Sequence, residues 1–216
     1  MSDPGRPPRG KFITFEGGEG AGKSTQVRLL AERLRVAGRE VVTTREPGGS
    51  PGAEAIRKLV VEGSVDSWDG TTEALLMFAA RRDHLARTIW PALARGTWVL
   101  CDRFADSTMA YQGQAHGLGR SVVARLYELA VGDFRPDLTL VLDLPVPVGL
   151  ARARARPGVE DRFERLGHAF HERVRAGFLD IAAAEPARCA IVDATGSIEA
   201  ISVAVCDTVR SRLGAG

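Results

Sequence analysis

Residues 12–25, FITFEGGEGAGKST, join a short apolar run to a glycine-rich loop and then to the start of a helical pattern. Within them, residues 17–24 fit the phosphate-binding loop (P-loop) pattern G-x-x-x-x-G-K-[ST]. Glycines let consecutive backbone N–H groups turn inward, and the helix that follows adds its positive N-terminal dipole. A chance glycine turn is the alternative, but the position between a strand and a helix is the context that the motif requires. The stretch therefore predicts a site for a nucleoside triphosphate.

The chemistry of the loop assigns roles to its last residues. Lys23 would bridge the β- and γ-phosphates, and the Ser24 hydroxyl would ligate Mg²⁺. Asp102 ends a later apolar strand, from which its carboxylate could reach the same ion. The residues predicted to contact the triphosphate are Gly17, Gly18, Glu19, Gly20, Ala21, Gly22, Lys23, Ser24 and Thr25.

Apolar runs and helical patterns alternate on the C-terminal side of the loop. Further strands are expected near residues 41–44, 98–101, 138–142 and 190–192. Short, continuously apolar strands separated by helices predict an α/β fold, a five-stranded parallel sheet flanked by helices. Residues 1–10 are rich in Pro, Gly and Arg and predict a flexible tail, which leaves residues 11–216 as a single domain.

Two local patterns predict details of the helices. Ser50 followed by Pro51 predicts the start of a helix, with Ser50 as its N-cap and Pro51 in its first turn. A long helix is expected over residues 72–95, with Pro91 as a possible bend.

Ligands of such sheets bind at the carboxyl ends of the strands. Arg45 and Arg103 both stand just past predicted strand ends, where planar guanidinium groups can clamp phosphate oxygens. A second anionic substrate beside the triphosphate favours a small-molecule kinase. A guanine-specific switch protein is excluded because the sequence contains no Asn for the Asn-Lys-x-Asp motif.

The overall composition excludes several other classes of protein. A formal net charge of +2 gives no cationic excess that would hold the chain on nucleic acid. No apolar run approaches the ~20 residues of a membrane span, and residues 1–10 do not resemble a signal peptide. We therefore expect a cytoplasmic protein with neither nucleic-acid nor membrane partners. His168 and His171, at i, i+3 spacing, are expected on a solvated helix face rather than at a metal.

Four segments together resemble the thymidylate kinase family: residues 15–17 (FEG), 45–49 (REPGG), 102–104 (DRF) and 111–113 (YQG). Residues 72–73, 79–81, 132–137 and 192–195 are similar to further family segments, so the resemblance extends from residue 11 to about residue 209. It implies a nucleoside monophosphate kinase-like P-loop fold with a small lid at about residues 150–163. It also implies Mg²⁺-dependent transfer of the γ-phosphoryl group of ATP to dTMP, which gives dTDP and ADP on the way to dTTP, by a homodimer.

The resemblance implies roles for individual acceptor-site residues. Arg45 and Arg103 would grip the dTMP phosphate, and Arg81 would hydrogen-bond the thymine ring. Tyr111 would crowd the 2′ position. The residue beside it, Gln112, would reach the base or the phosphate, and Glu19 would lie near the acceptor sugar and metal.

The sequence departs from the family pattern at the residue that stacks on the base. That ring would align with Met77, whereas Phe78 comes one residue later. Either Met77 covers the thymine as a polarizable surface, or a small shift brings Phe78 to it. Phe104 also stands where Tyr or His is more usual.

The lid segment is rich in arginine around a Pro-Gly break. The P-loop itself carries no arginine, so the resemblance is to the bacterial type, in which the lid supplies the catalytic one. Arg156 is the first candidate and Arg162 the second, because a guanidinium can neutralise charge on the transferring phosphoryl group. The predicted catalytic set is Lys23, Arg103, Arg156, Arg162 and Glu19.

Two alternatives remain at the level of sequence. One is a kinase of the same fold that acts on a different nucleoside monophosphate. The other is a P-loop protein that binds nucleotide without catalysis.

Overall fold

The computed structural model describes residues 9–62, 64–155 and 162–214. Its centre is a five-stranded parallel sheet in the order β2-β3-β1-β4-β5. The strands are β1 (Phe12–Glu16), β2 (Val41–Arg45), β3 (Trp98–Asp102), β4 (Leu138–Asp143) and β5 (Cys189–Asp193). The predicted α/β class, strand number and parallel arrangement are confirmed.

Helices cover both faces of the sheet. The α-helices are α1 (Lys23–Val36), α2 (Pro51–Val61), α3 (Gly70–His84), α4 (Trp90–Ala94), α5 (Ala105–Thr108), α6 (Arg120–Val131), α7 (Val146–Arg154), α8 (His168–Ala184) and α9 (Ile198–Leu213). π-Helical segments, Leu85–Ile89 and Met109–Ala115, join α3 to α4 and extend α5. Among the described residues, no helix is both long enough and apolar enough to cross a bilayer.

Strand β1 is the middle of the core, and all of its side chains are buried. Because side chains alternate along a strand, Ile13 and Phe15 pack on one face of the sheet with α1 and α9. Phe12 points to the other face, where its ring contacts Phe104 and Phe134. Burial on both faces explains why the strands read as continuous apolar runs rather than as alternating ones.

The long helix expected over residues 72–95 is present but not uniform. It runs from Gly70 to Ala94 with a π-helical turn, Leu85–Ile89, immediately before the helix that contains Pro91. Proline has no N–H to donate to the carbonyl four residues earlier, so the helix is interrupted at this point. The expected irregularity at Pro91 therefore takes the form of a π-helical turn.

Three smaller expectations are modified by tertiary contacts. Ser50 occupies the N-cap position of α2, but its hydroxyl donates to Asp83 Oδ2 at 2.6 Å instead of capping the helix. His171 is buried, so the expectation of a solvated face was wrong for it, whereas His168 is exposed. In the expected tail, residues 1–8 lie outside the described residues, and Gly10 is buried and donates to the carbonyl of Leu93.

Candidate active site

The glycine-rich loop closes tightly against the neighbouring elements of the sheet. Gly17 and Gly20 both have positive φ, 132° and 69°. A Cβ at Gly17 would lie 2.4 Å from the carbonyl oxygen of Leu142, and one at Gly20 would lie 2.0 Å from that of Gly149. Only glycine fits at these positions, for reasons of both backbone conformation and space. The loop therefore leads directly from the end of β1 into α1, as the motif requires.

Lys23 lies inside this loop, and its ammonium group donates to the carbonyls of Gly17 at 3.1 Å and Gly18 at 2.8 Å. Burial, followed by the charge of Arg103, lowers the pKa of Lys23 to about 8 against the opposing effect of Glu19. Because its surroundings destabilise the charged form of the side chain, an anionic ligand would stabilise that form strongly. Lys23 is thus positioned to receive phosphate oxygens.

Ser24 and Asp102 lie side by side at the mouth of the loop. The Ser24 hydroxyl donates to Asp102 Oδ2 at 2.5 Å, and both side chains face the same cavity. A hydroxyl and a carboxylate are hard oxygen donors of the kind Mg²⁺ takes, together with phosphates and water. Among the described residues, no group of three His, Cys, Asp or Glu side chains forms a closed metal site. The pair thus fits an ion that a nucleotide brings with it.

A cavity of about 690 Å³ connects the phosphate-binding loop to the ends of β2 and β3. It brings together residues that are far apart in sequence. Those among its lining residues that the sequence singled out are Glu19, Gly20, Gly22, Lys23, Ser24, Arg45, Met77, Arg81, Asp102, Arg103, Tyr111 and Gln112. The cavity therefore has a triphosphate side, at the loop, and a second side formed by α3, the end of β2 and the residues after β3.

Arg103 occupies the boundary between these two sides. It is the one described non-glycine residue with positive φ, 69°, and its backbone N–H donates to the carbonyl of Phe15. Its guanidinium donates to the Gly17 carbonyl at 3.0 Å and to Glu19 Oε1 at 2.9 Å. The strained backbone aims the side chain back across the loop, which is the kind of conformation that functional sites retain.

Glu19 and Tyr111 complete the surroundings of Arg103. The Tyr111 hydroxyl donates to Glu19 Oε1 at 2.6 Å and accepts from Arg103 Nη2 at 3.1 Å. Burial alone would raise the pKa of Glu19, but the charges of Arg103 and Lys23 outweigh it and lower the pKa to about 2. Burial raises the pKa of Tyr111 well above its ordinary value. The site thus holds an ionised carboxylate and a neutral phenol beside the guanidinium.

Arg81 is buried with a hydrogen-bonding capacity that the protein does not fill. Its Nε donates to Glu46 Oε2 at 2.7 Å, and its Nη2 donates to the Phe104 carbonyl and to Thr108 Oγ1, both at 3.1 Å. The remaining nitrogen, Nη1, has no partner although it is buried. Because Arg81 lines the cavity and buried polar groups are normally paired, Nη1 marks a position for a ligand acceptor.

Arg45 presents its charge at the outer part of the cavity. It is exposed at the end of β2 and donates to Glu54 Oε2 at 3.3 Å. Glu54 also accepts from the backbone N–H of Gly49 at 2.9 Å, and this bond, followed by the Arg45 charge, holds the pKa of Glu54 below its ordinary value. An exposed pair of this kind is weak and can exchange for an incoming phosphate.

The structure distinguishes the two residues that were expected to cover the base. Met77 is half-buried and lines the cavity. Phe78 is not among the lining residues and is buried in the apolar core, with its ring edge-on to Tyr127 and its ring centroid 4.7 Å from the Arg81 guanidinium carbon. The two successive residues point in different directions because each helical residue is rotated by about 100°.

The structure describes only part of the lid. Residues 156–161, which include Arg156, lie outside the described residues. Arg152 in α7 donates to the carbonyls of Ala194 at 3.1 Å and Thr195 at 3.5 Å, beyond the end of β5. Arg162 is buried, is not among the cavity-lining residues and donates to the Glu73 carboxylate. Contact of Arg162 with a phosphoryl group would require its bond to Glu73 to break.

Three buried carboxylates that orient the site were not predicted. Glu16 accepts from the Phe104 N–H at 2.7 Å and from the Ser107 hydroxyl at 2.6 Å. Burial and the charge of Asp106 raise the pKa of Glu16 to about 7.

Glu46 joins Arg81 to His84, and Glu73 joins Arg162 to Gln112. All three lie inside family-like segments of the sequence, which was the available signal.

Comparison with known proteins agrees with this geometry. The family model "Thymidylate kinase" matches residues 15–205. The thymidylate kinase of Caulobacter vibrioides is 60% identical over 206 residues, which are 95% of this chain and 99% of that protein. The thymidylate kinase of a Bradyrhizobium species is 54% identical over 209 residues, 96% of this chain and 92% of that protein.

A solved structure extends the similarity to three dimensions. The crystal structure of thymidylate kinase from Ehrlichia chaffeensis superposes with a TM-score of 0.76 at 36% sequence identity, covering 94% of this chain and 100% of that one. The match covers most of both chains, so it includes the loop, the strand ends and the helices around the cavity. On this sequence and structural similarity, the chain belongs to the thymidylate kinase family.

Proposed function

We propose that the cavity aligns ATP and dTMP head to head and transfers the γ-phosphoryl group of ATP to dTMP, giving dTDP and ADP. One observation carries the proposal. Lys23 of the P-loop and the two strand-end arginines, Arg45 and Arg103, line the same cavity from its two sides. Two anionic groups can therefore be held facing each other, with their mutual repulsion offset by fixed cations.

The donor side is formed by the loop and the beginning of α1. Backbone N–H groups of residues 17–25 and the helix dipole would hold the phosphates of ATP, and Lys23 would exchange its carbonyl partners for phosphate oxygens. Ser24 and Asp102 would hold Mg²⁺, directly or through water. When bound, the ion neutralises charge on the β- and γ-phosphates.

The acceptor side would hold dTMP by its phosphate, its sugar and its base. Arg103 and Arg45 would take the phosphate, and Arg81 Nη1 would donate to a carbonyl oxygen of thymine. Tyr111 and Gln112 line the cavity and would border the sugar and the edge of the base. Met77 would cover the face of the ring with its polarizable thioether.

The reaction then needs little proton chemistry. A phosphate oxygen of dTMP forms the new bond to the γ-phosphorus, and the bond from that phosphorus to the β,γ-bridging oxygen breaks, so that ADP leaves with the electron pair. Because the nucleophile is already an anionic phosphate, no strong general base is required. Charge on the transferring group would be neutralised by Lys23, by Mg²⁺ and by the lid arginine Arg156.

The experiment that tests the proposal is a coupled assay of ADP release from ATP with dTMP, dUMP, UMP and AMP at equal concentrations. We expect dTMP to give the highest kcat/KM of the four. Preference for another monophosphate would show a kinase of different specificity. ATP binding with no ADP formed in the presence of dTMP would show a non-catalytic nucleotide-binding protein.

We extend the proposal to a homodimer, on the basis of an exposed apolar surface. Leu75 of α3 and Val122 and Leu129 of α6 are 51%, 36% and 86% exposed on two helices that pack together. Such exposure on adjacent helices is typical of a surface that a partner covers. Light scattering during size-exclusion chromatography should give twice the mass of one chain. A cytoplasmic location stays a prediction from the sequence.

A further inference from the structure

Arg162 lies at a point where separate segments of the cavity wall meet, although its own side chain is not part of that wall. The wall residues on these segments are Val61 and Glu62 at the end of α2, Phe163 and Glu164 after Arg162, and Gln112 after β3. We propose that Arg162 is a positioning residue, which works through Glu73 to hold these segments in fixed relative positions around dTMP. The inference rests on the proposed transfer to dTMP.

The Arg162 guanidinium binds the last turn of α2 and the chain that follows it. Its Nε donates to the Ser64 carbonyl at 2.8 Å, its Nη1 to the Val60 carbonyl at 3.0 Å and its Nη2 to the Val65 carbonyl at 2.9 Å. Helix α2 ends at Val61, and Glu62 after it has extended backbone, so the last carbonyls of the helix have no partners within it and need donors from elsewhere. Arg162 supplies one of them and fixes the exit of α2.

Glu73 connects this arginine to the acceptor side of the cavity. One carboxylate oxygen, Oε2, accepts from Arg162 Nη1, and the other, Oε1, accepts from Gln112 Nε2 at 2.6 Å. The two charged side chains are only 1% and 2% exposed, so the pair is shielded from solvent. Glu73 is absent from the cavity wall whereas Gln112 is part of it. A change at Glu73 can therefore reach a ligand only through its neighbours.

The neighbour of Arg162 in sequence makes a second connection to the same side. The Phe163 ring lies edge-on to the Tyr111 ring, with centroids 5.6 Å apart. Tyr111 is the residue whose hydroxyl binds Glu19 and Arg103. The segment after the lid is thus bound both to α2 and α3, through Arg162, and to the residues expected around the sugar and phosphate of dTMP. Among the described contacts, the P-loop is reached from this segment indirectly, from Phe163 through Tyr111 to Glu19.

The test compares Arg162→Met, Glu73→Gln and the double variant with the wild-type protein in steady-state kinetics with ATP and dTMP. A positioning role predicts that each single variant raises KM for dTMP about 10-fold or more, since small displacements of aligned groups have effects of this size. KM for ATP should change less than about twofold. Because both residues act through one link, the double variant should resemble the more affected single variant rather than show the product of the two effects.

Arg188→Met is the matched control, because it removes the arginine of another ion pair, Arg188–Asp106, with side chains 12% and 13% exposed. Arg188 precedes β5 and is therefore at the opposite end of that strand from the site. We expect this variant to lower the melting temperature without raising KM for dTMP relative to KM for ATP. The inference is overturned if Arg162→Met lowers kcat about 10³-fold with KM for dTMP unchanged, which would indicate contact with the phosphoryl group. It is also overturned if the two single effects multiply, or if both KM values rise equally.

A measurement on the wild-type protein covers the case in which the variants do not fold. Hydrogen exchange should show that dTMP, added alone, protects the amides of residues 60–65 and 162–166 together. If dTMP binds and the two segments respond independently or not at all, the inference fails. Wild-type activity on dTMP is measured first: its absence would defeat the proposed function, whereas an active wild type with unaffected variants would defeat only the role of Arg162.

Discussion

Arg103 Nη2 donates to Glu19 Oε1 at 2.9 Å, so that the arginine after β3 is paired with a carboxylate inside the P-loop. The pair spans the boundary between the donor and acceptor sides of the cavity. Under the proposed function, a phosphate bound at Arg103 would meet a guanidinium that is already oriented. The carboxylate beside it stays ionised at any physiological pH because its pKa is about 2. In the proposed complex the two substrates would thus share one electrostatic environment rather than two separate ones.

Arg103→Met should affect the acceptor far more than the donor. Loss of a desolvated, hydrogen-bonded cation typically costs about 2–5 kcal/mol, so KM for dTMP should rise about 30-fold or more while KM for ATP changes less. Arg45→Met is the matched variant, because Arg45 is exposed and its loss should raise KM for dTMP by about 10-fold or less. Steady-state kinetics with each substrate varied in turn measures both. Equal losses for ATP and dTMP would contradict the assignment of Arg103 to the acceptor.

Lys23 should give ATP binding an alkaline limit. Burial and the Arg103 charge lower its pKa to about 8 in the free protein, so above that pH an increasing fraction of Lys23 is neutral. The charged form is the one that binds phosphate. Because kcat/KM reports the pKa of the free protein, kcat/KM for ATP should fall above pH 8, by up to about tenfold per pH unit. No fall from this group is expected below pH 7.

Lys23→Arg provides the control for that profile. Arginine remains protonated throughout the range, so whatever activity the variant retains should lose the decline that begins near pH 8. A pH series of initial rates at low ATP concentration, from pH 6 to 10, compares the two proteins. An identical alkaline decline in both would assign it to another group.

The parts of the site that could be predicted from sequence depend on backbone geometry over a short stretch. The glycines at 17 and 22 and the polar residues after β3 follow from the P-loop spacing and from the rule that ligands bind at the carboxyl ends of strands. Phosphate binding by a loop and a helix N-terminus is local, and local spacing suffices to find it.

What could not be predicted depends on contacts between distant segments. Glu46 and Glu73 are charged residues that become buried only because Arg81 and Arg162, 35 and 89 positions away, come to meet them. A single sequence gives no measure of such pairing, and charged residues are normally expected at the surface. His171 was missed for the same reason, since its burial depends on how α8 packs rather than on the spacing of its neighbours.

Substitutions of Met77 and Phe78 should have different effects, one mainly on dTMP binding and the other mainly on the free energy of unfolding. Phe78→Ala empties a buried ring position and should lower the free energy of unfolding by about 3–5 kcal/mol. Met77→Ala should change it by about 1 kcal/mol or less, because Met77 is half-buried at a cavity wall, and should instead raise KM for dTMP about 5- to 10-fold. Urea denaturation and kinetics on the same preparations decide between them. A larger rise in KM for dTMP with Phe78→Leu than with Met77→Leu would identify Phe78 as the residue on the base.

Arg156 should be the lid arginine that acts on the transferring group, since the P-loop residues Glu19, Gly20 and Ala21 supply no guanidinium. Arg156→Ala should lower kcat about 10³-fold with little change in KM for either nucleotide, because the charge is needed mainly in the transition state. Arg154→Ala is the matched control, since Arg154 is an exposed arginine at the end of α7 and should retain kcat within a few-fold. Single-turnover measurements remove product release from the comparison. If Arg156→Ala turned over like the wild type while Arg154→Ala lost activity, the catalytic guanidinium would be that of Arg154, two residues earlier in the sequence than proposed.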